Sequence, residues 1–514
     1  MKKFNITGTC VPEEDYMVDI SEKIAQIKKL VDNRSYFTIN RARQYGKTTT
    51  LHELYKTLLD EYIVILISFQ GLDDETFSSS ENFCVKFTEL IKRSLKTDNN
   101  AEIKNFNMLS DFITNICENQ KIVLMIDEVD KTSNNRVFLN FLAVLRDKFL
   151  ERKVKRDYTF HSVILAGVYD VKNIKLKMIN EGLYTPKADE NKIYNSPWNI
   201  AVNFTIDMSF NPENISKMLN TYEIDYKSGM DITAISEEIY NYTDGYPFLV
   251  SRICKCIDEE LNKNWTLNGV RKAVKLILEE KNTLFDDIFK NLENNKNLYD
   301  YVYDLLILGE FKPYMIYDPI VETGVIYGFF KKSENGSERA AISNKIFELL
   351  MTDYYISKDL RNKSQITETF QNDIIKAGRF DMELCLRKFA VHYAEIFNEI
   401  DYKFYERHGR LIFLSYLKPL INSHGFYHIE SQLTDLRRMD IVVDFGKEQF
   451  IIELKIWRGE IYEKESYEQL LGYMKSKNNN NGYILTFDFR KKSNKKYKAE
   501  WLKFDDKSIF EIIV

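Results

Sequence analysis

The apolar positions of this chain fall into two kinds of run. Short unbroken stretches, IVILISF (Ile63–Phe69), the apolar part of KIVLMIDEVD (Lys121–Asp130) and SVILAGVYD (Ser162–Asp170), alternate with longer stretches of helical spacing. Unbroken apolar runs of this length are strands buried on both faces, as in a parallel sheet. SYFTI (Ser35–Ile39) is a further β-rich run, and Leu51, Leu54, Tyr55 and Leu58 then set a helical period. The first half of the chain therefore reads as an α/β domain, with bounds at 1–260.

The pattern then changes. LYDYVYDLLILGEF (Leu298–Phe311) has helical spacing, and Val321–Tyr355 reads as strand, turn at ENGS, strand and helix. Helices followed by a β-hairpin predict a helical and winged-helix-like region over 261–358. No basic recognition helix is visible there, so packing or regulation is its expected role. The polar stretch ISKDLRNKSQIT (Ile356–Thr367) places a linker over 359–382. From 383 to 514, two amphipathic helices precede strands RRMDIVVDF and KEQFIIELKIW, joined as a hairpin at Gly446-Lys447-Glu448. A helix, YEQLLGYMK, and a strand, GYILTFD, follow.

Composition narrows the class. A chain of 514 residues with 44% hydrophobic and 29% charged residues forms several domains with sizeable cores. The net charge of −5 is uneven: residues 401–514 carry 20 Lys and Arg against 17 Asp and Glu, a balance of +3 that suits a polyanionic partner. The six cysteines show no C-x-x-C spacing, which predicts reduced thiols. MKKFNITGTCVPEED has no apolar signal region, and no apolar run nears the roughly 20 residues of a membrane helix. A cytoplasmic protein without a membrane partner is expected.

The first chemical constellation is RARQYGKT (Arg41–Thr48), between a strand and a helix. Backbone N–H groups of such a loop cradle phosphates at a helix N-terminus. Gly46, Lys47 and Thr48 match the end of a P-loop. Lys47 would reach the β- and γ-phosphates of ATP, and the Thr48 hydroxyl would ligate Mg²⁺. Arg43 and Thr49 complete the candidate nucleotide set. Arg41 stands where the usual pattern has its first glycine. Asp127, at the C-terminal end of its strand, would hold Mg²⁺, and Glu128 would orient or deprotonate water. Tyr169 and Asp170 are weaker γ-phosphate sensors, and Arg146 reads first as a solvated helix residue.

With Asp19 in YMVDISEKI and with Gly245-Tyr246-Pro247, this set resembles the AAA-ATPase-like domain of the archaeal and STAND-type branch of P-loop NTPases. The resemblance spans about Phe4 to Glu260, and the Arg41 substitution is itself similar to that family's loop. It implies that Pro247 lines the nucleotide site, and an ATP-driven protein that allows a homo-oligomer.

The second constellation is DIVVDFGKEQFIIELK (Asp440–Lys455). Glu453 and Lys455, two apart, share a face of an otherwise apolar strand. Buried charges demand partners. Asp440 and Glu453 would offer hard oxygen ligands to Mg²⁺ or Mn²⁺, which would activate water, and Lys455 would hold that water or offset phosphate charge. The order resembles the PD-(D/E)xK nuclease superfamily, in members fused to AAA-ATPase-like domains. That resemblance implies a restriction-endonuclease-like α/β core over about Glu383–Phe510. It assigns Gln469 and Tyr473 as the helix Q-x-x-x-Y pair, with Gln469 catalytic, and Glu406 as an added acidic ligand. Met439 replaces the usual proline. His408, His424 and His428 lack metal-cage spacing and read as structural. Trp457 and Tyr462 read as core or rim, and Lys491–Lys498 as a solvated loop.

These readings predict an ATP-binding protein whose Mg²⁺-dependent nuclease domain cuts nucleic acid, DNA ahead of RNA, under ATP control. The rival is a non-catalytic, nucleotide-dependent switch that binds nucleic acid or a protein partner.

Overall fold

A computed structural model describes residues 2–97, 102–129, 136–168, 198–308, 310–333, 338–362, 374–376, 379–397, 402–421, 425–431, 439–446, 448–456, 467–468, 470–475, 477, 479–488 and 498–514. The chain divides into two compact units. The first is Met1–Ile288 with Thr323–Phe329 and Asn344–Ile346; the second is Phe289–Glu322, Phe330–Ser343 and Phe347–Val514.

The first unit is built on four parallel strands. They are β1 (Tyr36–Asn40), β2 (Ile63–Ser68), β3 (Ile122–Asp127) and β4 (Ser162–Gly167), in the order β1-β4-β3-β2. Every residue of β3 and β4 is buried, as their unbroken apolar sequences require. Alternate residues feed two cores. Val123, Met125, Ile164 and Ala166 pack with Ile27 of α1 (Ser21–Asp32) and with Leu51 and Leu54 of α2 (Lys47–Leu58). Leu124, Ile126, Val163 and Leu165 pack on the other face with Phe83 and Phe87 of α3 (Ser80–Leu95), with α4 (Phe106–Cys117), and with Phe141 of α5 (Arg136–Lys153). Burying each such side chain contributes about 1.5–3 kcal/mol. A one-residue slip in any strand would exchange the two cores.

Helices α6 (Pro212–Tyr226), α7 (Ile232–Thr243), α8 (Pro247–Glu259) and α9 (Leu267–Leu278) complete the unit. Pro247 opens α8, where a proline costs no helical hydrogen bond. The N-terminal segment is tied to α6: Tyr16 donates to Asp225 Oδ2 at 2.6 Å and packs edge-on to Tyr222 at 5.2 Å.

Helix α10 (Thr283–Asn294) leads into α11 (Lys296–Tyr303), and a π turn (Asp304–Leu308) follows. Residues expected as the first strand of a hairpin instead form helix α12 (Pro319–Ile326). Val321, Val325 and Ile326 are β-branched, but Asp318, accepting from the Ile320 and Val321 amides, starts a helix there. The hairpin is shorter and later: β5 (Phe330–Lys332) pairs with β6 (Ala340–Ile342), and Pro313 bridges Arg339. The ENGS turn lies outside the described residues. Helix α13 (Lys345–Asn362) runs into the stretch expected as linker.

Two-residue strands β7 (Ile375–Lys376) and β8 (Arg379–Phe380), then α14 (Met382–Phe397) and α15 (Tyr402–Ile421), precede a six-stranded mixed sheet. Its strands are β9 (Gly425–Ser431), β10 (Met439–Phe445), β11 (Glu448–Ile456), β12 (Asn481–Phe487), β13 (Lys498–Phe504) and β14 (Lys507–Ile513), in the order β13-β14-β12-β11-β10-β9. β11–β12 and β12–β14 are parallel; the other pairs are antiparallel. Glu448, expected in the turn, pairs with Phe445 inside the hairpin. The turn thus contracts around Gly446, whose φ of +61° glycine adopts without strain.

Candidate nucleotide site

The loop between β1 and α2 turns sharply because two of its residues sit in the left-handed region: Gln44 at φ +55° and Gly46 at +75°. Gly46 is the N-cap of α2, so the loop runs directly into the positive end of that helix. A Cβ at Gly46 would meet open space, which leaves the backbone accessible to a phosphate.

Lys47 is 7% exposed. Its ammonium donates to the carbonyls of Arg41 and Ala42 at 3.0 and 2.9 Å. It is thereby held across the loop, where a phosphate would replace weak carbonyl acceptors with a charged one. The Thr48 hydroxyl donates to Asp127 Oδ2 at 2.8 Å, joining the start of α2 to the end of β3. Asp127 Oδ1 accepts the Glu128 amide at 2.9 Å. Glu128 has φ +55°, a conformation that costs a non-glycine residue about 1–2 kcal/mol. One hydroxyl and one carboxylate, side by side and mostly buried, are a hard oxygen donor set that fits a Mg²⁺ ion. The Thr49 hydroxyl accepts the Cys10 amide at 3.2 Å, fixing the N-terminal segment over the loop.

The Arg41 guanidinium donates to the carbonyls of Asn40 and Ile206 at 2.8 and 2.7 Å and lies over the Phe204 ring. Burial lowers its pKa. Arg43, in the candidate nucleotide set, pairs with Asp287 at 2.9 Å and is 65% exposed. Its neighbour Gln44 donates to Thr283 Oγ1 at 3.1 Å. Tyr246 donates to the Arg43 carbonyl and packs against Tyr45. Asp19, two residues before α1 begins, accepts from the Ser21 amide at 2.9 Å. Arg146 donates to Asn199 at 3.0 Å; Tyr169 and Asp170 lie outside the described residues.

A cavity of about 350 Å³ adjoins the loop. Gly46, Thr49 and Thr50 line it from the loop and the start of α2, and Pro247 and Phe248 contribute the start of α8. Met17, Val18, Ile20, Ile27, Met208 and Phe210 add an apolar wall, beside Lys23, Gln44, Tyr45 and Ser251. Asn5, Thr7, Gly8 and Cys10 cover it from the N-terminal segment. Pro247 was expected at the nucleotide site through the family resemblance; the covering segment, Lys23 and Phe210 carried no such signal. No spacing rule marks such residues, because they come together only through the fold.

The second constellation lies on β11. Glu453 is 1% exposed and Lys455 8%. The register sets Asp440 opposite Glu453 and Thr486 opposite Lys455. Lys455 lies over the Tyr467 ring at 5.0 Å, and Tyr467 donates to buried Glu511 at 2.7 Å. Glu511, on β14, was not legible as a site residue. Glu406 lies on α15, and Gln469 falls outside the described residues, as do His424, Trp457, Tyr462 and residues 491–497. His408 lies on α15 and His428 on β9. Among the described residues, no group of three or more His, Cys, Asp or Glu is arranged to hold a metal. None of the described helices is long and apolar enough to cross a membrane.

Residues 16–268 match the family model of the AAA-like domain. The chain thus carries an AAA-like P-loop NTPase domain, and the parallel sheet with its Gly46–Asp127 site lies inside it. Comparison with curated proteins returns no match. Among solved structures, the Walker-type ATPase PABY2304 of Pyrococcus abyssi is 12% identical, with 68% of this chain and 99% of that one covered and a TM-score of 0.42. The Aeropyrum pernix ORC2 protein in ADPNP–ADP complexes is 13% identical, with 68% and 96% covered and a TM-score of 0.35. Drosophila ORC bound to DNA is 11% identical, with 65% and 95% covered and a TM-score of 0.32.

Proposed function

We propose that the first unit binds ATP with Mg²⁺ and that nucleotide occupancy controls the second unit. The observation that carries this reading is the Thr48–Asp127 hydrogen bond beside Lys47. Bound Mg²⁺ would supply charge neutralisation at the β- and γ-phosphates, with Thr48 and Asp127 holding it. Lys47 would exchange its two carbonyl acceptors for phosphate oxygens. The α2 amides would take up further phosphate charge, and Glu128 would orient water toward the terminal phosphate. Steady-state ATP hydrolysis by the wild type and by Lys47→Ala tests this. Turnover lost in the variant supports the reading; turnover unchanged in the variant defeats it.

A second reading is favoured by one observation: Glu453 and Lys455 are both buried on a central strand whose register brings Asp440 opposite Glu453. It assigns the second unit to metal-dependent cleavage of nucleic-acid phosphodiesters, DNA ahead of RNA, with Asp440, Glu453, Glu406, Lys455 and Gln469 as its machinery. Mg²⁺ or Mn²⁺ would supply an activated water, and Lys455 would stabilise charge on the scissile phosphate. Plasmid and single-stranded DNA incubated with either metal, with and without ATP, beside Glu453→Ala, test it. Absence of any cutting by the wild type would leave the switch, acting on a nucleic-acid or protein partner and as a homo-oligomer, as the function.

A further inference from the structure

The cavity beside the P-loop has one charged group in its apolar wall. Lys23, on α1 one turn before Ile27, lines the cavity, and its ammonium donates to the Ser209 carbonyl and lies 5.6 Å from the Phe210 ring centroid. Both contacts leave ammonium N–H groups available, since a lysine carries three. Burial lowers its pKa against the opposing pull of Asp207. Desolvating a lysine in an apolar wall is costly unless it meets an acceptor. An ammonium only donates, so its complement is a lone pair. The same cavity is lined by the loop residues Gly46, Thr49 and Thr50. A ligand with phosphates at these residues would place its base among the apolar lining residues, within the wall that also contains Lys23.

We propose that Lys23 reads the nucleobase, by donating to a ring nitrogen of a purine held in this cavity. The proposal rests on the nucleotide reading above and assigns that site its base-recognition residue. A charge-assisted hydrogen bond in an apolar pocket is worth roughly a 10- to 100-fold change in affinity.

The test is calorimetric titration of wild type and Lys23→Met with Mg·ATP and with Mg·tripolyphosphate, which has no base. Lys23→Met is expected to bind ATP roughly 10- to 100-fold more weakly and tripolyphosphate as the wild type does. Among 1-deaza-, 3-deaza- and 7-deaza-ATP, one is expected to bind the wild type as weakly as ATP binds the variant, with no further loss on the variant. Equal ATP affinity in the two proteins overturns the proposal, and so does an equal loss for ATP and tripolyphosphate. Should Lys23→Met not fold, the deaza series on the wild type alone decides: three analogues that bind like ATP overturn it. A wild type that binds neither ATP nor tripolyphosphate overturns the nucleotide reading itself, whereas ATP binding indifferent to Lys23 removes only this inference.

Discussion

The Thr48 hydroxyl donates to Asp127 Oδ2 at 2.8 Å across 79 residues of sequence. That bond sets the end of one strand against the start of the helix that follows another, and it turns two separate sequence signals into one site. Removing the carboxylate leaves the hydroxyl without its acceptor and the site without its anionic ligand. Asp127→Ala is therefore expected to abolish Mg²⁺-dependent ATP turnover while the melting temperature moves by only a few degrees. A phosphate-release assay beside a thermal melt checks both. Full turnover in the variant would remove Asp127 from the site.

Two glycines separate strain from collision. Gly46 has a φ of +75° with open space at its Cβ position, so alanine there costs the left-handed conformation alone, about 1–2 kcal/mol. Gly245 has a φ of +69°, and a Cβ there would run into the Phe210 backbone, whose amide also donates to the Gly245 carbonyl at 2.8 Å. Gly245→Ala is expected to destabilise the fold clearly more than Gly46→Ala, while Gly46→Ala harms nucleotide binding more than its stability cost implies. Urea denaturation and ATP titration of both variants check the contrast.

His161 gives a pH dependence with a fixed sign. It is 8% exposed, and burial with Arg34, Arg152 and Lys121 nearby lowers its pKa from 6.5 to about 4. The unfolded chain takes up this proton near pH 6.5, whereas the folded chain resists it down to about pH 4. The stability of the first unit is therefore complete above about pH 6.5 and falls as the pH drops toward 4. His161→Phe is expected to flatten this part of a melting-temperature curve taken from pH 7 to pH 4. An unchanged slope in the variant would assign the acid sensitivity elsewhere.

On β11, Glu453 and Lys455 test the second unit. Removing one member of a buried charged set is costly, about 3–5 kcal/mol, where its partner stays charged. Lys455→Met keeps most of the side-chain length without the charge. If the two charges serve the fold, Glu453→Gln and Lys455→Met each lower the melting temperature and their double variant recovers part of the loss. If they serve cleavage, the variants melt close to the wild type and lose metal-dependent cutting. The double-variant cycle in melting and cleavage separates these outcomes.

Much of the first unit was legible because its signals are local. Unbroken apolar strands announce a sheet buried on both faces, and Gly46-Lys47-Thr48 sits between a strand and a helix as phosphate binding requires. Arg43 shows where such reading stops: its pairing with Asp287 depends on where α10 packs, which no loop motif encodes. The cavity wall is the same case, since Thr7, Lys23, Phe210 and Pro247 are distant in sequence. Val321–Ile326 misled because β-branched residues favour strands, while a cap at Asp318 started a helix. Glu511 was hidden because a single acid on a terminal strand has no pattern until Thr486 and Tyr467 are brought beside it.

The most direct measurement is the affinity of the wild type and of Lys47→Ala for ATP, with Mg²⁺ and with the metal chelated. The account predicts that the wild type binds Mg·ATP, binds ATP more weakly without the metal, and loses roughly 10-fold or more on removal of the Lys47 ammonium. A wild type that binds no ATP, or a Lys47→Ala variant that binds it equally well with and without Mg²⁺, would contradict it.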